Sequence, residues 1–140
     1  MKKKFKPMID KSFYLIWVPL SLMMIALTVI SVKYLSALII MALTDIFVFY
    51  FLFSSLSAYV ELREDTMLVK FGFIIKREIE YSRIREISKE RRFYSQSMLS
   101  IKCAIEHVNI KYNRFDIISV SVVTNDELIS ELNARISAKK

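Results

Sequence analysis

Cys103 and His107 stand four residues apart, the spacing at which a thiol and an imidazole meet on one helical face as nucleophile and base. Their neighbours read as strand, however, and there the same spacing leaves the two side chains about 13 Å apart on one face. A small buried thiol and a surface imidazole are therefore expected. They are the only Cys and the only His of the chain. That excludes a disulfide framework and a Cys- or His-rich metal cluster, and it suits a reducing compartment. The single glycine cannot supply a glycine-rich phosphate loop. No catalytic set, no metal site and no cofactor are expected.

A second group could bind rather than react. Arg83, Arg85, Lys89, Arg91 and Arg92 are followed by Phe93 and Tyr94. Basic residues with aromatics can mark nucleic-acid binding. Yet Glu78, Glu80, Glu86 and Glu90 are interleaved, which is how a salt-bridged strand surface reads. A solvated face, or a patch for an anionic lipid or a protein or peptide partner, fits better, and no nucleic-acid partner is expected. Arg91, Arg92, Phe93 and Tyr94 are the expected binding residues, with Arg83 and Arg85 behind them. Their roles are charge attraction and an aromatic contact.

The elements that must carry these residues follow from how charge is distributed. The chain has 140 residues, 54% hydrophobic and 25% charged, an average that suits neither a soluble domain nor a plain membrane bundle. Residues 1–12 hold five Lys and one Asp, residues 13–57 one Lys and one Asp, and residues 58–140 all the other charges. Residues 13–32 are uncharged, and at 1.5 Å per residue they span about 30 Å, the thickness of a hydrocarbon core. Pro19 is expected to kink that helix rather than end it. Residues 35–56 form a second span interrupted only by Asp45, so residues 13–57 read as a transmembrane hairpin. The lysines of residues 1–12 form a basic cytoplasmic N-terminus that also attracts membrane lipids, and only Lys33 lies between the spans. The positive-inside rule then puts the N-terminus and the C-terminal domain in the cytoplasm, as a multi-pass membrane protein. A cleaved signal peptide would leave that domain on the same side.

Asp45 is the costly residue, since a carboxylate at mid-span costs roughly 2.5–3.5 kcal/mol on insertion scales. Ten residues after Leu35 is about 15 Å of rise, which places Asp45 near Ser21 of an antiparallel first helix. Two readings stand open. Either a protonated Asp45 bonds Ser21 or Thr44 and orients the hairpin, or it serves an ion or proton relay, or glues helices or protomers of a homo-oligomer. Phe47, Phe49, Tyr50, Phe51 and Phe53 nearby read as lipid-facing aromatics with an interfacial belt reaching Tyr59.

From residue 58 the hydrophobic period is near two. Residues 58–63, 66–75, 77–79, 84–87, 107–112 and 115–122 read as strands, with turns at Glu64-Asp65, Tyr81-Ser82-Arg83 and Asn113-Arg114. The apolar members of Met67 to Phe73 are expected to face one core. Thr124-Asn-Asp-Glu127 matches a capping box. Leu128, Ile129, Leu132 and Ile136 then make one apolar helical stripe, with Arg135, Lys139 and Lys140 at the C-terminal end. The fold class is α+β.

Tyr59-Val-Glu-Leu62, Leu68-Val-Lys-Phe-Gly72, the run Lys76-Arg-Glu-Ile-Glu-Tyr-Ser-Arg-Ile-Arg-Glu-Ile87 and Val108-Asn-Ile-Lys-Tyr112 resemble, in that order, the bacterial pleckstrin-homology-like (PH-like) domains of the YyaB type. The resemblance covers roughly residues 58–136. It implies a bent, seven-stranded, partly open antiparallel β-barrel capped by the C-terminal helix, often preceded by one or two transmembrane helices. It supplies no catalytic residues. Ala104-Ile-Glu-His107, Val122-Val123 and the long, proline-free loop from Arg91 to Cys103 depart from the family pattern. A non-catalytic, membrane-anchored binding module is the expected function. Envelope stress or bacteriocin self-immunity is implied by the resemblance alone. The alternatives are a small oligomeric transport or channel component using Asp45, and a membrane-anchored enzyme, for which no nucleophile and base are present.

Overall fold

The computed structural model describes residues 2–95, 97 and 99–139. The lysine-rich start is part of the folded body: β1 (Lys3–Phe5) pairs antiparallel with a later strand and buries Phe5 in the core. Asp10 then caps α1 (Lys11–Ser31), accepting from Ser12 N at 3.0 Å and Phe13 N at 3.2 Å. This satisfies two of the orphan donors of the first turn. The helix runs through Pro19 without ending. Val32, Lys33 and Tyr34 connect it to α2 (Leu35–Leu56).

Both helices are long and apolar enough to cross a membrane. Phe13, Trp17, Ser21, Met24 and Thr28 form the shielded stripe of α1, while Leu15, Leu22 and Val29 are exposed. On α2 the half-buried Asp45 belongs to the shielded stripe, and Ile46, Phe47 and Phe53 are exposed. Asp45 is not paired with Ser21 or Thr44. Thr28 Oγ1 donates to its Oδ2 at 2.6 Å, and Thr44 bonds the carbonyl of Ile40 on its own helix. Thr28 lies seven residues beyond Ser21, about 10 Å of rise, so the helices are offset along their axes where a symmetric turn would have matched them.

Only Ser57 and Ala58 separate α2 from β2 (Tyr59–Leu62), which continues through β3 (Thr66–Phe71) and β4 (Ile75–Glu80). A 3-10 turn at Tyr81–Arg83 leads to β5 (Ile84–Arg91). Then come β6 (Leu99–Ile101), β7 (Glu106–Tyr112), β8 (Asp116–Val120) and α3 (Asn125–Ser137). Two four-stranded sheets result, ordered β1-β2-β3-β4 and β5-β7-β8-β6. They do not close into a barrel. The β5 edge begins after a turn rather than pairing on with β4, and the first sheet meets the second through Pro7, which bridges to Val122. The loop after Arg91 carries an extra strand, β6, parallel to β8.

Alternating side chains fill the space between the sheets: Val60, Leu62, Met67, Val69 and Ile79 from one, Val108, Ile110, Ile118 and Val120 from the other. Leu128 and Leu132 of α3 close that core, with Ile129 and Ile136 at its margin. Thr124 sits at the N-cap without a side-chain cap bond. Asn125, the first helical residue, instead accepts from Val122 N at 3.0 Å and so ties the start of α3 back to the segment leaving β8. Lys3 joins β1 to α3 through Glu127 at 2.7 Å and Glu131 at 2.9 Å. Lys140 lies outside the described residues.

The hairpin helices and the sheets touch directly. Phe51 of α2 packs against Phe71 of β3, with ring centroids 6.3 Å apart and planes tilted by 49°. Gly72, with φ +64°, presses its backbone against α2, where a Cβ would stand 2.2 Å from Ser54 Oγ. Both the positive φ and the lack of space require glycine here. Gly72→Ala is expected to lower stability by about 1–3 kcal/mol. Adding Ser54→Gly should relieve the clash, leaving the backbone cost at residue 72, about 1 kcal/mol, and up to about 1 kcal/mol for the new glycine in α2. Thermal melting of the three proteins in detergent checks this; an unchanged midpoint for Gly72→Ala would mean that α2 does not press on this turn.

Candidate functional site

β5 is eight residues long, so its two ends are about 23 Å apart. This separates the basic residues that look contiguous in sequence. Arg83 and Arg85 are at the end far from α1 and α2, not behind Arg91 and Arg92. Arg83 pairs with Glu80 at 3.2 Å. Arg85 borders a cavity of about 350 Å³ shared with Lys111, Arg114 and the exposed Phe115, none of which sequence reasoning singled out. Arg114 stands 5.2 Å from the Phe115 ring centroid. The interleaved acids do pair with basic residues, Lys111 with Glu86 at 2.7 Å and Arg63 with Glu78 at 3.2 Å among them.

Arg91, Arg92, Phe93 and Tyr94 lie at the other end, where the helices leave the sheets. Arg92 Nε stands 3.8 Å from Glu90, and its guanidinium is 5.9 Å from the Tyr94 ring. Phe93 and Tyr94 are exposed. Phe93 is one wall of a groove of about 300 Å³ whose other wall is Phe13, Ile16 and Trp17 of α1. Lys102 contributes a cation to it, and its Nζ donates to the carbonyls of Phe93 at 3.0 Å and of Arg92. Burial beside these apolar groups lowers its pKa, and Asp10 and Glu90 act in the opposite sense. Exposed arginines and a partly desolvated ammonium next to aromatic side chains suit an anionic group with an apolar tail.

Asp10 builds this groove. Besides capping α1 it accepts from Ile105 N at 2.8 Å, and its own N–H donates to Cys103 O at 3.2 Å. One carboxylate thus ties the first helix to the turn after β6. Cys103 ties the same turn to the second helix, with Sγ 3.7 Å from Ser55 O. Burial pushes its thiol up to about 11, the opposite of what a nucleophile needs.

His107 is not at the surface. It is fully buried on the outer face of the second sheet, where Ser95 Oγ donates to Ser119 Oγ and Ser97 Oγ to the Ile117 carbonyl. Its Nδ1 lies 3.0 Å from Ile105 O and is therefore the donor, while Nε2 has no partner among the described residues. The layer continues with Asn109, which accepts from Ser119 Oγ at 2.5 Å, itself reached by Ser95 Oγ at 2.7 Å. Cys103 and His107 face different partners and form no pair.

Two four-stranded sheets that do not close into a barrel, with one C-terminal helix against their shared core, fit the expected α+β class. Residues 58–136 match the family model described as the bacterial PH domain, and the chain belongs to that family. Domains of this kind are generally non-catalytic binding modules. Comparison with curated proteins and with solved structures finds no match.

Burial raises the Asp10 carboxyl, but bonds from the Ser12 hydroxyl and from the N–H groups of Ile105, Phe13 and Ser12 outweigh it and hold it below the usual carboxylate range. A depressed folded pKa contributes stability above the unfolded value, near 3.9, that is lost as pH falls through the folded value. Asp10→Asn is therefore expected to flatten the acid limb of stability against pH. Asp10→Ala should cost about 0.5–2 kcal/mol at neutral pH. Denaturant midpoints between about pH 3 and 7 test both, and an acid limb as steep in Asp10→Asn as in the wild type would refute the assignment.

Proposed function

We propose that the chain is a membrane-anchored, non-catalytic binding module of the YyaB type, its α1 and α2 crossing the cell membrane and its sheets on the cytoplasmic side. The observation that carries this reading is positional. The exposed apolar faces of both helices begin at the same end of the domain as the groove and the loop from Arg91 to Tyr94. In that placement Arg91, Arg92 and Lys102 meet anionic lipid headgroups, each basic residue near such a surface being worth about 1 kcal/mol. Arg85, Arg114 and Phe115 face away from the membrane, toward a protein or peptide partner. Envelope stress or bacteriocin self-immunity would be served by such a module, though no residue selects between them.

The test is alkaline extraction of membranes containing the full chain. The protein is expected to stay in the pellet, and release into the supernatant would end the anchoring reading. In the protein purified with native lipid, Arg91→Ala with Arg92→Ala should reduce co-purifying anionic lipid severalfold. An unchanged lipid complement would remove the headgroup contact.

One observation favours a second reading, a small oligomeric transport component. Asp45 Oδ1 is buried without a hydrogen-bond partner among the described residues, and a second protomer or a carried ion could complete it. Asp45→Asn keeps an acceptor for Thr28 and removes the carboxyl group. Unaltered oligomeric state and ion flux in vesicles would leave Asp45 as a clasp between the two helices, a bond worth about 0.6–2 kcal/mol in that setting.

A further inference from the structure

Phe73 and Ile74 break the rule that orders the rest of the β3–β4 hairpin. The period-two pattern of Met67 to Phe73 sends Phe73 toward the core, yet it is 87% exposed and Ile74 77% exposed. The pattern stops at Gly72, whose positive φ turns the chain out of the strand. Two adjacent large apolar side chains at a turn have no reason of folding to be there, since a turn tip is ordinarily polar.

Their position is fixed by Gly72. Its backbone lies against Ser54, and an added Cβ would also come within 3.3 Å of the Tyr50 hydroxyl. Ser54 and Tyr50 are two and six residues before Leu56, the end of α2, or about 3 and 9 Å back along its axis. The turn therefore reaches past the end of α2 to the level of its last apolar turns, where Phe53 is exposed.

Charge is arranged to match. Lys70 and Lys76 are direct cross-strand partners immediately behind the turn. Like charges in that position repel unless an anion lies beside them. Lys4 and Lys70 also flank the Tyr59 ring, at 3.7 and 5.8 Å from its centroid. From the tip inward, the order is two apolar residues and then a lysine and tyrosine belt. Segments that enter the boundary of a bilayer with anionic lipid carry the same order.

We infer that the β3–β4 turn is a second membrane contact, with Phe73 and Ile74 inserted into the bilayer beside α2 and Lys70 and Lys76 at the headgroups. This rests on the proposed anchoring by α1 and α2, and extends it from the helices to the domain. Together with Phe93 at the base of α1, the tip gives the domain apolar contacts on both sides of the hairpin.

The test uses the full chain reconstituted in vesicles of phosphatidylcholine and phosphatidylglycerol, with and without brominated acyl chains. The one native tryptophan is removed by Trp17→Phe, and single tryptophans are returned as Phe73→Trp, as Ile74→Trp, or as Ile40→Trp on the exposed face of α2. Bromines at the acyl boundary are expected to quench Phe73→Trp and Ile74→Trp by about half, as contact at a depth of 5–10 Å requires. Ile40→Trp should be quenched at least as strongly. Quenching of Ile40→Trp alone would overturn the inference and leave the anchoring intact. Quenching of none would overturn the anchoring itself. Emission from Phe73→Trp that is blue-shifted but not quenched would show that a second copy of the protein covers the turn, which also overturns the inference.

Discussion

Ser57 and Ala58 are all that lies between the helical hairpin and the sheets, and the geometry of the whole molecule depends on how little freedom they have. Ser57 N donates to Phe53 O at 3.0 Å and Ala58 N to Ser55 O at 3.4 Å, so the helical bonding of α2 continues until β2 begins. A junction of this kind cannot act as a hinge without breaking those bonds. The same end of the domain is held three times more, by Asp10 between α1 and Ile105, by Cys103 against Ser55 of α2, and by the backbone contact of Gly72 with Ser54. Attachments to both helices fix an orientation as well as a position.

Much of this was legible in the chain because it is local. The bounds of α2 coincide with an apolar run whose ends are marked by Lys33-Tyr34 and Ser57. The strands that follow alternate visibly, and the stripe of α3 packs as its spacing requires. What could not be read depended on contacts distant in sequence. Lys3 and Lys4 look like a simple topological signal until β1 is seen paired with β2, Lys3 between two glutamates of α3, and Lys4 over Tyr59. The three-residue β6 pairs parallel with a strand that lies beyond β7, a pairing that no local pattern encodes. Asp45 meets Thr28 rather than Ser21 because the two helices pack offset along their axes, which residue spacing from the turn does not encode.

The candidate site divides along the same line. Arg91 to Tyr94 is contiguous, and its basic-aromatic character shows in sequence. Lys102 joins it through its bonds to the Phe93 and Arg92 carbonyls, and Ile16 and Trp17 through the Asp10 ties to Cys103 and Ile105, the latter spanning 95 residues. The signal that could have found it is the Asp-x-Ser start of α1, which marks a helix N-cap and so places Asp10 at a junction. Arg83 and Arg85 were separated from the site by the rise of a strand, a quantity that charge clustering ignores. His107 is misplaced for a related reason: it is buried on an outer face of the sheet, where Ser95 bonds Ser119, a contact distant in sequence.

A rigid junction changes what tethering does. A flexible linker raises the effective concentration of a domain near other membrane components while letting it sample every orientation. Here the sheets keep one attitude toward the hairpin, so in a bilayer the groove, the Arg91 loop and the Gly72 turn would always face lipid. The end bearing Arg85, Arg114 and Phe115 would always face away. A partner arriving from the aqueous side then meets one surface at one height, and selection among partners can rest on that geometry as well as on side-chain chemistry. It also follows that mutations at Asp10, Ser54 or Gly72, none of which would touch such a partner, can weaken its capture by freeing the domain to tilt.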